Sequence, residues 1–300
     1  MLKFKIPELS DKPWIDECLS HAKGMNCEYT FGNLYIWNTT HATKVCKYKD
    51  FFICRWNKDG EYLYSVPIGE GDFKEVIHTM MEDASALDTP FKIYGVTDYY
   101  KRLLNEHFPN QFSYEYNEDF NDYIYDIEKM TTLSGRKYHG KRNHITNFKK
   151  NNPNWKFEEI TKKNLTECIK VHNQWIYEHT GGEDTNQELD AALLAFQDFE
   201  ELGLVGGLIR VDGEVIAYTL GEAMNTDVFV THFEKASHYT HGIYPLINQE
   251  FTIHCLQGYK YVNREEDLGL PGLRKSKRSY YPEIFLEKGI ATYDQTSNKS

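Results

Sequence analysis

Three hundred residues leave room for about two domains, and a chain that is 40% apolar and 15% aromatic has ample material for a core. Lys+Arg 34 against Asp+Glu 45 gives a formal charge of −11, and 20 Gly with 9 Pro is far from low-complexity composition, so disordered and collagen-like classes are excluded. No run approaches the roughly 18 apolar residues of a membrane span, mean hydropathy is −0.63, and the N-terminal residues lack the apolar stretch of a secretory signal; the expected location is the cytoplasm. Cys18, Cys27, Cys46, Cys54, Cys168 and Cys255 are too scattered for a zinc site or a disulfide framework, and reduced thiols are expected. His238 and His241 have helical spacing but lie in a Tyr/Thr/Gly segment without a nearby acidic ligand, so no metal site is expected.

Ser10 or Asp11 suits the cap of a first helix with Trp14, Ile15, Cys18 and Leu19 on one face. After FGNLYIWN, the runs KVCKYK, FFICRW and EYLYSVPI read as an antiparallel meander, the last two joined at Lys58-Asp59-Gly60. Asp72 with Glu75 forms a capping box, and Phe73, Val76, Ile77, Met80 and Ala84 repeat at helical spacing. FKIYGV reads as a strand, DYYKRLLNEHF as a short helix and FSYEYNEDFNDYIYDI as two strands, which closes a first domain over residues 1–130.

A second domain, residues 131–300, opens on strand WKFEEI. Asn164 then caps a helix with Ile169, His172, Trp175 and Ile176 inward, Glu167 taking the capping-box position. Leu189, Ala192, Leu193, Phe196 and Phe199 mark a second helix that stops at Gly203. LVGGLIRV, EVIAYTLGEA and DVFVTHFE are strands joined by tight turns; HGIYPLINQEFTIHCL is a helix closed by Gly258, and strands KYVN and IFLEKGI follow. Three meandering strands feeding a helix and then a strand able to pair in parallel resemble the GNAT acyltransferase layout. The fold class expected is α+β, with two tandem GNAT-like units, each a mixed, mostly antiparallel sheet flanked by helices.

Two polar stretches make the resemblance specific. Lys137, Lys141, Arg142, Asn143 and Phe148 form one; Asn263, Arg264, Glu265, Asp267, Gly269, Gly272, Leu273, Arg274, Lys277, Ser279, Tyr280 and Pro282 form the other. Both resemble the bacterial proteins grouped with the C-terminal domain of phosphatidylglycerol lysyltransferases. Gly221-Glu222, Glu234-Lys235-Ala236 and the Gly242, Tyr244, Asn248, Glu250, Phe251 series are similar to that family as well. The resemblance implies acyl or aminoacyl transfer, with lysyl-tRNA the donor in the lipid-modifying members. No counterpart of their membrane-spanning half is present, and Ser237–Tyr244 fits the pyrophosphate loop of acetyl-CoA enzymes only loosely.

Acyl transfer needs a base, a donor for the developing oxyanion and an anion site for the donor's phosphates. Glu222 and Glu234, on consecutive strands, are candidate bases, or else solvated surface carboxylates. Tyr280 or Tyr244 is a candidate proton donor to the leaving group. Gly242 opens the helix after the third strand, either to admit phosphate or only to make the turn. Phe233, Tyr244, Lys141, Arg274, Lys275 and Lys277 are the further donor-binding candidates, and Arg142, Asn143, Asn263, Arg264, Glu265 and Asp267 the acceptor-binding ones. The segment from Asn263 to Tyr280 reads as a shaped lid gripping phosphate or as a salt-bridged loop. No tightly bound cofactor is expected. The donor is acyl-CoA (coenzyme A), slightly favoured because the negative net charge opposes RNA capture, or aminoacyl-tRNA. The acceptor is a small molecule or lipid headgroup, with peripheral membrane contact allowed and DNA excluded. The rival class is a non-catalytic module sensing a nucleotide or lipid headgroup. Two geometric expectations follow: the strands DVFVTHFE and KYVN part at one end, with Phe233, Glu234 and the turn up to Gly242 lining the gap, and Arg142 or Asn143 meets Asn263–Arg274 in one cleft.

Overall fold

The computed structural model describes residues 2–58, 60–178, 183–237 and 241–294. They form two units, one from Met1–Asp122, Glu266–Pro271 and the segment beginning at Phe285, the other from Tyr123–Glu265 and Gly272–Ile284.

In the first unit, the Asp11 carboxylate accepts from Glu8 N and Trp14 Nε1 at the start of α1 (Lys12–Leu19), which buries Ile15, Cys18 and Leu19. FGNLYIWN forms two short helices, α2 (Phe31–Ile36) and α3 (Asn38–His41). The meander is β1 (Lys44–Tyr48), β2 (Phe51–Lys58) and β3 (Glu61–Ser65), with β4 (Ile68–Gly69) returning onto β2. Asp72 accepts from Glu75 N at 3.0 Å and starts α4 (Phe73–Ala86), whose Val76, Ile77, Met80 and Ala84 are buried. This helix crosses over to β5 (Lys92–Val96), which runs parallel to β3 for three residue pairs. After α5 (Asp98–His107) and β6 (Phe112–Tyr116), one place in the sheet remains, between β5 and β6.

That place is filled from the far end of the chain, and here the sequence reading is corrected. IFLEKGI is two strands, β13 (Ile284–Leu286) and β14 (Gly289–Tyr293), and β14 pairs antiparallel with both β5 and β6, satisfying edges that would otherwise be open. Conversely β7 (Asp122–Asp126), read as the last strand of residues 1–130, joins the other sheet. Lys288, just before β14, is fully buried. Burial opposes its charge, but Asp122 (Oδ1 at 2.8 Å), Cys27, Glu266 and Glu28 outweigh it and hold its pKa well above the ordinary lysine value. Donor atoms of Cys27, Asp122 and Glu266 lie within 4.8 Å of one another, and the Lys288 ammonium supplies the cation among them.

The second unit continues with α6 (Ile127–Thr132), α7 (His139–Asn151), β8 (Lys156–Glu159), α8 (Leu165–Glu178) and α9 (Glu183–Gln197). The meander β9 (Val205–Val211), β10 (Glu214–Ala223) and β11 (Val228–Ala236) leads through α10 (Ile243–His254) to β12 (Tyr261–Asn263) and α11 (Pro271–Arg278). Sheet order is β13-β7-β12-β11-β10-β9-β8. Ile145 and Phe148 of α7 and Leu246 and Ile247 of α10 pack with Ile209 and Ala217 of the sheet, while α8 packs on β10 and β11. Glu167 does not close a capping box: with Glu158 it holds the Arg210 guanidinium in a four-bond fork of 2.7–3.0 Å, a stronger use of a carboxylate. Leu193 is exposed, because α9 presents Ala191, Ala192 and Ala195 inward instead. Residues 271–278, read as a loop, are helical. No described helix is long and apolar enough to cross a membrane.

Removing the Lys288 ammonium leaves Asp122 buried without its ion partner, so Lys288→Ala should lower unfolding free energy by about 3–5 kcal/mol in urea titrations.

Candidate active site

β11 and β12 are paired only at Val228–Tyr261, Phe229–Val262 and Val230–Asn263; β11 runs on to Ala236 while β12 ends, so the two strands part. Immediately beyond, the β10–β11 ladder steps from Gly221–Thr231 to Leu220–Phe233, leaving His232 as a bulge. Gly221 is required there, since a Cβ would lie 1.9 Å from Val230 O.

The bulged His232 donates from Nε2 to Glu222 Oε1 and from Nδ1 to Glu265 Oε1, each at 2.9 Å. With both carboxylates ionised each nitrogen carries a proton, and the ring is an imidazolium. Burial opposes that charge, but the hydrogen bonds to Glu222 and Glu265 win and raise its pKa to about 9. Glu265 is held in turn by its own backbone. Its N–H donates to Asn263 Oδ1 at 2.7 Å, its φ is +57°, and Lys277 Nζ donates to the carbonyls of Arg264 and Glu265 at 2.6 and 3.2 Å.

This turn aims Arg264 into the gap, where Nη2 donates to Glu234 Oε1 at 2.9 Å and Asn248 Nδ2 donates to Glu234 Oε2 at 3.1 Å. Lys141 reaches in from α7, donating to Ser279 Oγ at 2.7 Å with its ammonium 3.7 Å from the Tyr280 ring centroid. Arg264 stands over the same ring at 5.4 Å. A cavity of about 10 Å³ lies beside the Glu234–Arg264 pair, lined also by Thr231, Asn248, Phe251, Thr252, Leu256 and Val262. Burial pushes the Glu234 carboxyl above the usual range against the pull of Arg264. Burial, with Arg264 nearby, lowers Lys141 to about 8. Burial also raises the Tyr280 phenol well above its ordinary value, so it stays protonated.

Glu234, Arg264, Lys141 and Tyr280 are thus brought together. Glu222 joins them only through His232, whose ring its carboxylate holds. Phe233 turns to the other face and meets the His172 ring in the core, as strand alternation demands, so it does not line the gap. Gly242 caps α10 with φ +97°, and a Cβ there would lie 2.4 Å from His144 O; close packing of α7 accounts for the glycine. Residues 238–240 of the expected phosphate loop, His238 included, lie outside the described residues, and His241 faces His144 at 4.1 Å. Tyr244 is half-buried, its phenol pushed up to about 12 by burial. Lys277 is bound to backbone carbonyls and Asn263 to its turn, whereas Arg274 and Lys275 ride on α11, half-buried and exposed.

The two polar motifs do meet, through other residues than expected: Tyr138 Oη donates to Tyr280 O at 3.0 Å and Lys141 reaches Ser279. Arg142 instead binds the carbonyls of Leu133 and Gly135, and Asn143 pairs with His139, both satisfied within their own segment. Asp267 is counted with the first unit, its carboxylate accepting from Gly269 N. His232 escaped the sequence reading, whereas Ser279 was read as part of the second motif but given no role. A histidine in the apolar run VFVTHFE opposite Gly221-Glu222 was the available signal for the former.

Because the folded pKa of His232 lies above its ordinary 6.5, its stabilisation is complete below about 6.5 and is lost as pH rises through about 9. Unfolding free energy should fall by about 3 kcal/mol across that window, and His232→Gln should abolish the decline.

Residues 22–291 match the family described as phosphatidylglycerol lysyltransferase, C-terminal. A conserved protein of unknown function from Bacteroides thetaiotaomicron, known from its crystal structure, is 34% identical and superposes with a TM-score of 0.93, covering 98% of this chain and 100% of that one. L-PGS from Bacillus licheniformis shares the fold at 16% identity and TM-score 0.68, covering 97% of this chain and 94% of that one. An uncharacterized protein of Mycoplasmoides gallisepticum is 24% identical over 176 residues; the match spans 57% of this chain and only 56% of that protein's length. The fold is a tandem GNAT-like arrangement, and a family match over most of its length places the chain in the phosphatidylglycerol lysyltransferase C-terminal family.

Proposed function

We propose that the second unit transfers an aminoacyl group from aminoacyl-tRNA directly to an amine or hydroxyl acceptor, such as a lipid headgroup, at the gap between β11 and β12. The observation that carries this reading is a buried carboxylate, Glu234, paired with Arg264 and felt electrostatically by Lys141, which keeps its proton up to about pH 8. Family membership supports the reaction class. Net charge slightly favours acyl-CoA, but two of the residues expected to hold its phosphates are otherwise engaged, Gly242 by packing on α7 and Lys277 by backbone carbonyls, and family membership favours the aminoacyl-tRNA donor.

In this reaction the acceptor lone pair attacks the ester carbonyl as Glu234 takes the acceptor's proton. The new bond to the carbonyl forms, the bond to the ribose oxygen breaks, and Lys141 delivers its proton to that oxygen. Arg264 and Lys141 offset the charge developing on the carbonyl oxygen. Proton return from Glu234 to Lys141 resets the pair, and no covalent enzyme intermediate is needed.

One observation favours the non-catalytic module: the Arg264–Glu234 pair leaves a cavity of about 10 Å³, the room of a single water, so a substrate must displace that pair. Lysyl transfer from lysyl-tRNA to phosphatidylglycerol vesicles, run beside thiol release from acetyl-CoA, separates the readings. Glu234→Gln should lower kcat by about 10²–10⁴-fold with the circular dichroism spectrum unchanged. The pH profile should rise through a pKa above the ordinary carboxylate range and fall near pH 8 as Lys141 deprotonates. Glu234-dependent consumption of acetyl-CoA alone would move the donor to CoA, and ligand binding without any turnover would favour the module.

A further inference from the structure

The first unit carries a cavity of about 320 Å³ that has no part in the reaction above. It lies at the carboxyl ends of the parallel pair β3 and β5: one wall, with Asp72 and Phe73, follows β3, and another, with Tyr99 and His107 of α5, follows β5. Crevices at this place, where successive crossovers leave a parallel pair, are where open sheets bind small ligands, and the volume is within the range of small-molecule sites.

The lining defines what would bind. Phe73 and His107 face each other with ring centroids 6.0 Å apart, and Tyr99 is braced edge-on by Tyr100 at 5.0 Å yet remains 42% exposed, offering a ring face. His21, Lys23 and His107 are the basic groups. Asp72 is the one carboxylate of the lining, and its Oδ1 is engaged by Glu75 N at the start of α4. Aromatic faces beside basic groups select a flat ring that carries a negative charge.

We propose that this cavity is a second ligand site, for a small planar-ring anion bearing a phosphate or a carboxylate. Tyr99 stacks on the ring and Lys23 pairs with the anion. Calorimetry on the full chain, with adenosine 5′-monophosphate and 4-hydroxybenzoate as the phosphate and carboxylate probes, tests it, with adenosine and inorganic phosphate as controls lacking one half each. At least one ring anion should bind, both controls should bind about tenfold more weakly or worse, and Lys23→Ala and Tyr99→Ala, both at exposed positions, should each weaken binding by about tenfold. Glu234→Gln, in the other unit, should leave this binding unchanged, which separates it from the transfer site. No binding of either ring anion by folded protein would overturn the proposal. So would binding that survives both substitutions, binding lost in Glu234→Gln, or inorganic phosphate binding as tightly as the nucleotide.

Discussion

A charged histidine buried between two carboxylates is the constraint on which the geometry of the second unit rests. Removing three ions from water is costly, and the cost is met only where every partner is in hydrogen-bonding position. His232 satisfies this because the bulge on β11 turns its ring to Glu222 on one side and Glu265 on the other. The consequence runs outward along the chain. With Glu265 held in a left-handed turn and Lys277 gripping the adjoining carbonyls, Arg264 has one direction left, into the gap. Its guanidinium then sets the electrostatics for Glu234 and Lys141.

Within the gap, burial and neighbouring charges set the proton affinity of each group. For Glu234, burial prevails and the carboxyl is raised; for Lys141, burial and a neighbouring cation act together and the amine is lowered. Two groups with proton affinities drawn toward neutrality from opposite sides are what a base and an acid working at the same pH require. By contrast, exposed pairs such as Lys12–Asp16 and Arg102–Asp98 contribute little and explain nothing about the site.

Each unit has the same local plan. Three antiparallel strands lead through a crossover helix to a strand that pairs in parallel for three residues and then diverges, β3–α4–β5 in one and β11–α10–β12 in the other. The side chains at the diverging ends differ. The second unit fills its opening with ions, whereas the first keeps a cavity with aromatic walls and buries its ionic network around Lys288 instead. A shared backbone plan therefore does not imply a shared chemistry.

Local elements were determined by the sequence itself: the Asp72 cap, the meanders, the periodic helices α1, α4 and α8, and the α+β class all depend on interactions within a few residues, which spacing records directly. Four of the residues singled out for chemistry, Glu234, Arg264, Lys141 and Tyr280, also converge in the structure. Tertiary structure alone decided the rest. Whether Lys277 faces a ligand or a carbonyl, whether Gly242 admits phosphate or a neighbouring helix, and whether Glu222 is free or holds a histidine depend on partners from distant segments. The same holds for β14, whose place between β5 and β6 is set by a vacancy in a sheet formed nearly 200 residues earlier. Spacing along a chain reports neighbours at short range; charge pairing and sheet closure are long-range, and only the folded chain brings those partners together.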